Sequence, residues 1–286
     1  MTLKQLEYFI AVIDTGSISA AAKKMHISQP PLSMQIKILE EELGTVLFER
    51  STRYIRPTDD GMKLYHKGRV ILDLVAEAET EIRDDSTHLE GKLIIGTISS
   101  CGNILLGPAM QHFVTEHPDV SYELVEGNTF TMLDKIQKRE LDIAFVRTPY
   151  DSEGLTGISL TREPMCAIGR SFFLKNSGSI SMEELACQPL IIYRRFEKML
   201  NRVFASKQLA MNVRCLNDDA RTTLMWAAAG VGVGIMPKSI VSLLEHRELI
   251  ICEIDAPELI TEVHLVHRKG QYISTIARKF MESYIT

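Results

Sequence analysis

Apolar residues recur at helical spacing through residues 3–44, and the polar residues between them sort onto the opposite faces. Leu3, Leu6, Phe9, Ile10 and Ile13 share one side of a first helix. The capping-box pattern Thr2-Leu3-Lys4-Gln5 opens it, and it ends near Gly16. Ser17 can cap a second helix, whose apolar face carries Ala21 and Met25 one turn apart. Ala20, Ala21 and Ala22 let another helix approach closely, and His26-Ile27 makes a turn. Ser28 can cap a third helix with Pro30 and Pro31 in its first turn, where backbone N–H groups lack helical partners anyway. Leu32, Ile36, Leu39 and Leu43 step into one buried stripe. Pro30, Ser33, Met34 and Lys37 project on the other side, flanked by Gln29.

A helix anchored by one stripe and presenting a polar N-terminal end is built to enter a DNA major groove. Gln29 can read a base edge with its amide, and Ser33 can reach a base or a phosphate. A plain helical hairpin fits the same stretch. Beyond Gly44, Val46-Leu47-Phe48 and Tyr54-Ile55-Arg56 read as two short strands, with Ser51 and Thr52 in the turn: a wing. Arg50, Arg53 and Arg56 cluster there. Arginines at a wing tip neutralise phosphate or enter a narrow minor groove, whereas most charge runs are simply solvated. Arg53 lies nearest the turn.

Thr58 can cap a long helix running to about residue 87. Leu64, Ile71 and Ala78 repeat every seventh residue, as do Val75, Ile82 and Leu89, and Gly68 interrupts the seam. The seam calls for an identical helix from a second chain or for packing on its own domain. From Gly91 onward, strands and helices alternate, which predicts a parallel, doubly wound sheet. Expected strands lie at residues 91–97, 120–126, 141–146, 165–169, 190–193 and 262–267, and the run 230–237 brings the chain off a helix into a further buried strand. Expected helices lie at 103–117, 132–139, 196–207, 219–229 and 273–284. Gly230, Gly232 and Gly234 follow a helix and lack the Lys-Ser/Thr of a phosphate loop, so they read as turn and packing glycines.

The first stretch resembles the winged helix-turn-helix of LysR-type transcriptional regulators. Ala21-Ala22, Ser28-Gln29-Pro30, Leu32-Ser33, Gln35-Ile36, Leu39-Glu40, Leu43-Gly44 and Leu47-Phe48-Glu49-Arg50 carry the likeness. Many members have arginine where this chain has Met34, so a guanine contact is lost or becomes apolar here. The remainder is similar to the family's effector domain at Gly91–Gly96, Pro108 with Phe113, Leu124–Gly127, Leu141-Asp142-Ile143 and Ala228–Pro237. The resemblance implies an α/β protein with an N-terminal winged helix-turn-helix (1–57) and a dimerising linker helix (58–89). A two-lobed, periplasmic-binding-protein-like effector domain (90–286) would follow. Lobe I would span about 90–162 and 264–286, and lobe II about 163–263. It also implies operator or promoter DNA as partner, a small-molecule effector, and a homodimer or homotetramer. Ser28, Gln29, Pro30, Ser33, Met34, Lys37, Arg50, Arg53 and Arg56 are the expected DNA-binding residues.

Ligands of open α/β sheets lie beyond the carboxyl ends of strands, and those of two-lobed proteins lie between lobes. Ser99-Ser100-Cys101, Asn128-Thr129, Arg147 and Tyr193-Arg194-Arg195 fall at such ends. Hydroxyls, an amide and two or three arginines suit a small organic anion such as a carboxylate, although caps and turns alone also account for the serines, Asn128 and Thr129. Arg147 is the sharpest candidate, because an arginine ending a core strand needs a reason.

Net charge is −5, so a DNA footprint must be local. Five widely spaced cysteines give neither a disulfide framework nor a metal site, and no cofactor fingerprint is present. No leader and no membrane span is evident, which predicts a cytoplasmic protein. No Gly-x-Ser-x-Gly, His-Glu-x-x-His or dinucleotide motif occurs, so no catalytic residues are expected. Two alternatives stay open: a regulator switched by oxidation of Cys101, or a small-molecule-binding α/β protein or enzyme with an incidental N-terminal hairpin.

Overall fold

The computed structural model describes residues 1–50, 55–83, 89–175, 178–243, 249–270 and 272–285, with backbone alone at positions 50, 77, 80–83 and 241–243. The chain forms two compact units, Met1–Leu89 and Glu90–Thr286.

The first unit holds α1 (Leu3–Thr15), α2 (Ile18–Lys24), α3 (Gln29–Leu43), strands β1 (Phe48–Arg50) and β2 (Ile55–Pro57), and α4 (Asp59–Arg83). The predicted capping box forms: Gln5 N donates to Thr2 Oγ1 at 3.2 Å and Thr2 N donates to Gln5 Oε1 at 2.7 Å. Ser17 caps α2, but Ser28 places no side-chain hydrogen bond on α3. Leu6, Phe9, Val12, Ala21, Leu32, Ile36, Leu39, Leu47 and Phe48 make one core. Leu43 leaves the expected stripe and is 41% exposed, because Gly44 ends the helix in the left-handed conformation just beyond it. Glu40 Oε1 accepts Leu47 N (2.9 Å) and Phe48 N (3.2 Å), which ties the end of α3 to the wing. The first wing strand starts two residues later than predicted, and the pair sets Glu49 opposite Arg56. The Ser51-Thr52 turn and Arg53 lie outside the described residues.

Gly68 does not break the linker helix. A Cβ there would come within 2.8 Å of Leu6 and 3.2 Å of Ile10, so glycine lets α4 pack on α1. Leu64 and Ile71, the first steps of the predicted seam, pack against this unit's own core. Tyr65 Oη donates to Asp14 Oδ1 at 2.8 Å across the same contact. Farther along, Leu74 and Ala78 are exposed.

The second unit begins with β3 (Gly91–Ile98), α5 (Gly102–Leu105), α6 (Pro108–Glu116), β4 (Val120–Gly127), α7 (Thr129–Gln137), β5 (Ile143–Arg147) and β6 (Leu155–Arg170). There follow β7 (Gly178–Ile180), α8 (Met182–Ala186), β8 (Leu190–Tyr193), α9 (Arg194–Ser206), β9 (Val213–Asn217) and α10 (Ala220–Ala228). The chain closes with β10 (Val233–Pro237), a 3₁₀ turn (Lys238–Leu243), β11 (Leu249–Ile254), β12 (Ile260–Arg268) and α11 (Thr275–Glu282). The helix expected over 103–117 is two helices, because Gly107-Pro108 interrupts it, and Leu106 at the break is 61% exposed.

The sheet is mixed, where sequence alternation predicted a parallel, doubly wound one. Its strand order is β4-β3-β5-β12-β6-β10-β8-β9, with β11 and β7 joined through β6. Strands β4, β3 and β5 run parallel in one half; β10, β8 and β9 run parallel in the other. Two antiparallel strands join the halves. β12 pairs with β5 and β6, and β6 passes unbroken from β12 to β10 and β11. Alternation of strands and helices alone does not reveal such strands, because β6 and β12 pair antiparallel with strands far away in the sequence. The second half has its own core, from Met165 and Ile168 to Phe196, Leu224 and Ile235.

Candidate nucleic-acid interface and effector cleft

In the first unit, Leu32, Ile36 and Leu39 hold α3 to the core while Gln29, Pro30, Met34 and Lys37 are exposed and Ser33 is half-buried. Ser28 is also exposed, at the helix start. Ser19 Oγ donates to Gln29 Oε1 at 2.8 Å. That bond orients the Gln29 amide and leaves its NH₂ to donate to a base acceptor such as guanine O6 or thymine O4. Met34 is 64% exposed, an unusual setting for a long apolar side chain. Lys37 pairs with Glu41 one turn on at 3.6 Å, an exposed pair that phosphate can displace. Arg56 is exposed on β2. Only the backbone of Arg50 is described, and Arg53 lies outside the described residues.

In the second unit, β3 and β4 leave the sheet together, with Ile98 opposite Gly127. The following turns carry Ser99, Ser100 and Cys101 on one strand and Asn128 and Thr129 on the next. Asn128 is a helix cap: its Oδ1 accepts Thr131 N at 2.9 Å. Ser99 Oγ accepts Ala220 N at 3.2 Å, a bond from the first half to the N-terminus of α10 in the second. Tyr193 lies buried beside Ser99. Thr129 Oγ1 and Ser100 Oγ are buried with no conventional hydrogen-bond partner, and Ser100 Oγ lies beside the Cys101 thiol.

The two arginines singled out from sequence do other work. Arg147 is 0% exposed. Its Nη1 donates to Glu163 Oε1 (2.7 Å) and Thr261 Oγ1 (2.8 Å), and its Nη2 donates to Ser100 O (2.9 Å) and Ser239 Oγ (3.2 Å). The strand-end arginine therefore has an internal reason: it neutralises Glu163, which neither spacing nor pattern connects to it. Arg194 points to solvent and pairs with Asp218 at 2.7 Å.

Its neighbour Arg195 turns inward, a difference that one residue of helix rotation at the start of α9 decides. Arg195 Nη2 donates to Arg147 O and to Pro149 O, the latter at 3.3 Å, and its Nε is buried without a partner. Among the described residues no carboxylate pairs with it. Burial pulls its guanidinium down to about 10, which leaves it charged at neutral pH. Nearer the surface, Arg221 of α10 bonds both carboxylate oxygens of Glu126 at the end of β4, and also Asp219 at 3.3 Å.

Cys101 is 1% exposed, and burial pushes its thiol up to about 11. A buried, protonated thiol is a poor oxidant target, so the structure argues against the thiol-switch alternative. Cys166 and Cys252 lie on neighbouring strands but face opposite sides, because Cys166 is registered with Glu253 and Cys252 with Ala167. Among the described residues no cluster of three metal-ligating side chains occurs, and no helix is long and apolar enough to cross a membrane.

Residues 3–62 match the family profile described as the bacterial regulatory helix-turn-helix protein of the lysR family. Residues 86–285 match that of the LysR substrate binding domain. The HTH-type transcriptional regulator TtuA of Agrobacterium vitis is 31% identical, over 83% of this chain and 81% of its own length. In fold, the chain superposes on a full-length OxyR variant from Pseudomonas aeruginosa with a TM-score of 0.74 at 22% identity, covering 99% of this chain and 93% of that one. The structure of full-length CbnR complexed with its target DNA is similar along the whole of both chains, with a TM-score of 0.59 and 23% identity. The chain belongs to the LysR family of helix-turn-helix transcriptional regulators, with a DNA-binding unit followed by an effector-binding domain.

Proposed function

We propose that the N-terminal half of α3 reads operator DNA through Gln29, Pro30, Ser33, Met34 and Lys37. Ser28 and the wing arginines Arg50, Arg53 and Arg56 contact the backbone or the minor groove. The observation that carries this reading is the division of α3: Leu32, Ile36 and Leu39 are buried, while Gln29, Met34 and Lys37 face outward. That CbnR is held on its target DNA in a similar structure supports it. Paired operators need paired reading helices, and the exposed Leu74 and Ala78 on the distal half of α4 supply a surface for a second copy. The protein acts in the cytoplasm as a homodimer or homotetramer and carries out no reaction of its own.

A small organic anion binds where β3, β4 and β8 end, among Ser100, Thr129 and Tyr193. It shifts the equilibrium between arrangements of the two halves only by its difference in affinity for them. The hydroxyl of Thr129, buried without a partner, and that of Ser100, which has only the Cys101 thiol beside it, support this placement, since buried polar atoms in native proteins are nearly all satisfied. Selection of bound fragments from a random DNA pool by the full chain tests the first part. A defined motif is expected, and its loss in Gln29→Ala with unchanged melting is the supporting outcome. Enrichment of no motif would overturn the sequence-specific reading.

A further inference from the structure

Three arginines lie between the halves, Arg147 buried, Arg195 half-buried and Arg221 exposed, and two are neutralised within the protein: Arg147 by Glu163 and Arg221 by Glu126 and Asp219. Arg195 is held by carbonyl oxygens alone. Carbonyls orient a guanidinium but cancel none of its charge. Its Nε faces no protein acceptor, and its neighbours are the Tyr193 and Cys101 side chains and the like-charged Arg147. A desolvated cation with a spare N–H is a site that an anion completes.

The mouth of the cleft has the opposite balance. One arginine there, Arg221, serves two carboxylates, Glu126 and Asp219, the latter also taken by Thr222 N at 3.0 Å. The inner end is thus positive by one charge and the rim negative by one. A ligand with an anionic head and a neutral body fits this gradient. A second carboxylate would meet the rim, and a phosphate monoester would bring nearly two charges to one guanidinium.

We infer that the effector is a monocarboxylate whose carboxylate is received by Arg195, with the Ser100 and Thr129 hydroxyls as its neutral donors. The inference rests on the cleft reading above and replaces Arg147 and Arg194 as the ligand's cationic partner. Arg147 is a positioning residue that holds Ser100 by its carbonyl and offers its own carbonyl to Arg195.

The test is a charge series on the full chain by calorimetry and thermal shift: benzoate, benzamide, phthalate and phenyl phosphate, with hexanoate, hexanamide and adipate as the aliphatic counterparts. At least one monocarboxylate is expected to bind, with its amide and its dianion about tenfold weaker or worse. Arg195→Gln is expected to remove that preference, Arg195→Lys to retain part of it, and Arg147→Gln to lower melting without reversing the charge order. Should Arg195→Gln fail to fold, the charge order on the unaltered chain decides between the outcomes. Equal or tighter binding of amides or dianions, or no binding by any monocarboxylate, would overturn the inference. Full monocarboxylate affinity in Arg195→Gln, with loss in Ser100→Ala or Thr129→Ala, would overturn Arg195 as the anchor and leave the cleft reading intact. Binding untouched by all three substitutions would overturn the cleft reading itself.

Discussion

Arg147 Nη1 lies 2.7 Å from Glu163 Oε1, and this buried ion pair joins the strand that ends the first half of the effector domain to the strand that enters the second. Glu163 also accepts Ser239 N and Ser239 Oγ, the latter at 2.7 Å. The group is thus a clasp between halves, not a ligand anchor. Breaking one side leaves a desolvated charge. Glu163→Ala is expected to destabilise the effector domain by about 3–5 kcal/mol, read as the shift in its urea midpoint. Replacing both partners with apolar residues of similar volume, Arg147→Met with Glu163→Leu, should recover much of that loss. A single substitution as harmless as a surface change would contradict the clasp.

The passage of α4 over the wing depends on a missing side chain. A Cβ on Gly61 would lie 2.2 Å from the carbonyl oxygen of Leu47, which already accepts Thr58 N at 3.0 Å. Gly61→Ala is therefore expected to cost the DNA-binding unit about 1–3 kcal/mol and to weaken DNA binding. The effector-domain transition, followed in the same calorimetric scan, should not move. A parallel loss in both transitions would contradict this local account.

Met34 touches little of its own protein, so Met34→Arg is expected to leave stability within about 0.5 kcal/mol. Its effect should fall on DNA. Added charge steepens the salt dependence of binding, and a guanidinium in the major groove favours guanine. Selection from random DNA before and after the substitution checks both. An unchanged motif would place Met34 outside the interface.

Stability should fall on mild acidification. Burial holds the imidazole of His267 below its ordinary value of 6.5, and burial aided by Lys279 does the same for His117. Both groups are easier to protonate in the unfolded chain, so the unfolded state takes up more protons and gains as pH falls. Their contribution is whole above about pH 6.5 and is lost progressively as pH drops toward the depressed folded values. The urea midpoint measured from pH 7.5 to 5 should therefore decline, with a shallower decline in His267→Gln. An identical slope in that variant would remove His267 from the account.

Sequence by itself determined the DNA-binding unit almost whole. The capping box at Thr2, the stripe Leu32-Ile36-Leu39, the prolines opening α3 and the glycine closing it are local devices, each acting within one or two helical turns. It also placed most strands of the effector domain, because each is a short apolar run between turn residues. What it could not reach depends on partners far along the chain. That Gly68 admits α1, that Leu64 and Ile71 turn inward, and that β6 serves both halves follow from packing between distant segments. The cleft shows this most sharply. Arg147, Arg194 and Arg195 look alike in sequence, and only the tertiary structure sets Glu163 against the first, solvent and Asp218 against the second, and no carboxylate among the described residues against the third. A charge is available to a ligand when the fold withholds a counter-charge from it, and that is decided by residues brought together across the sheet.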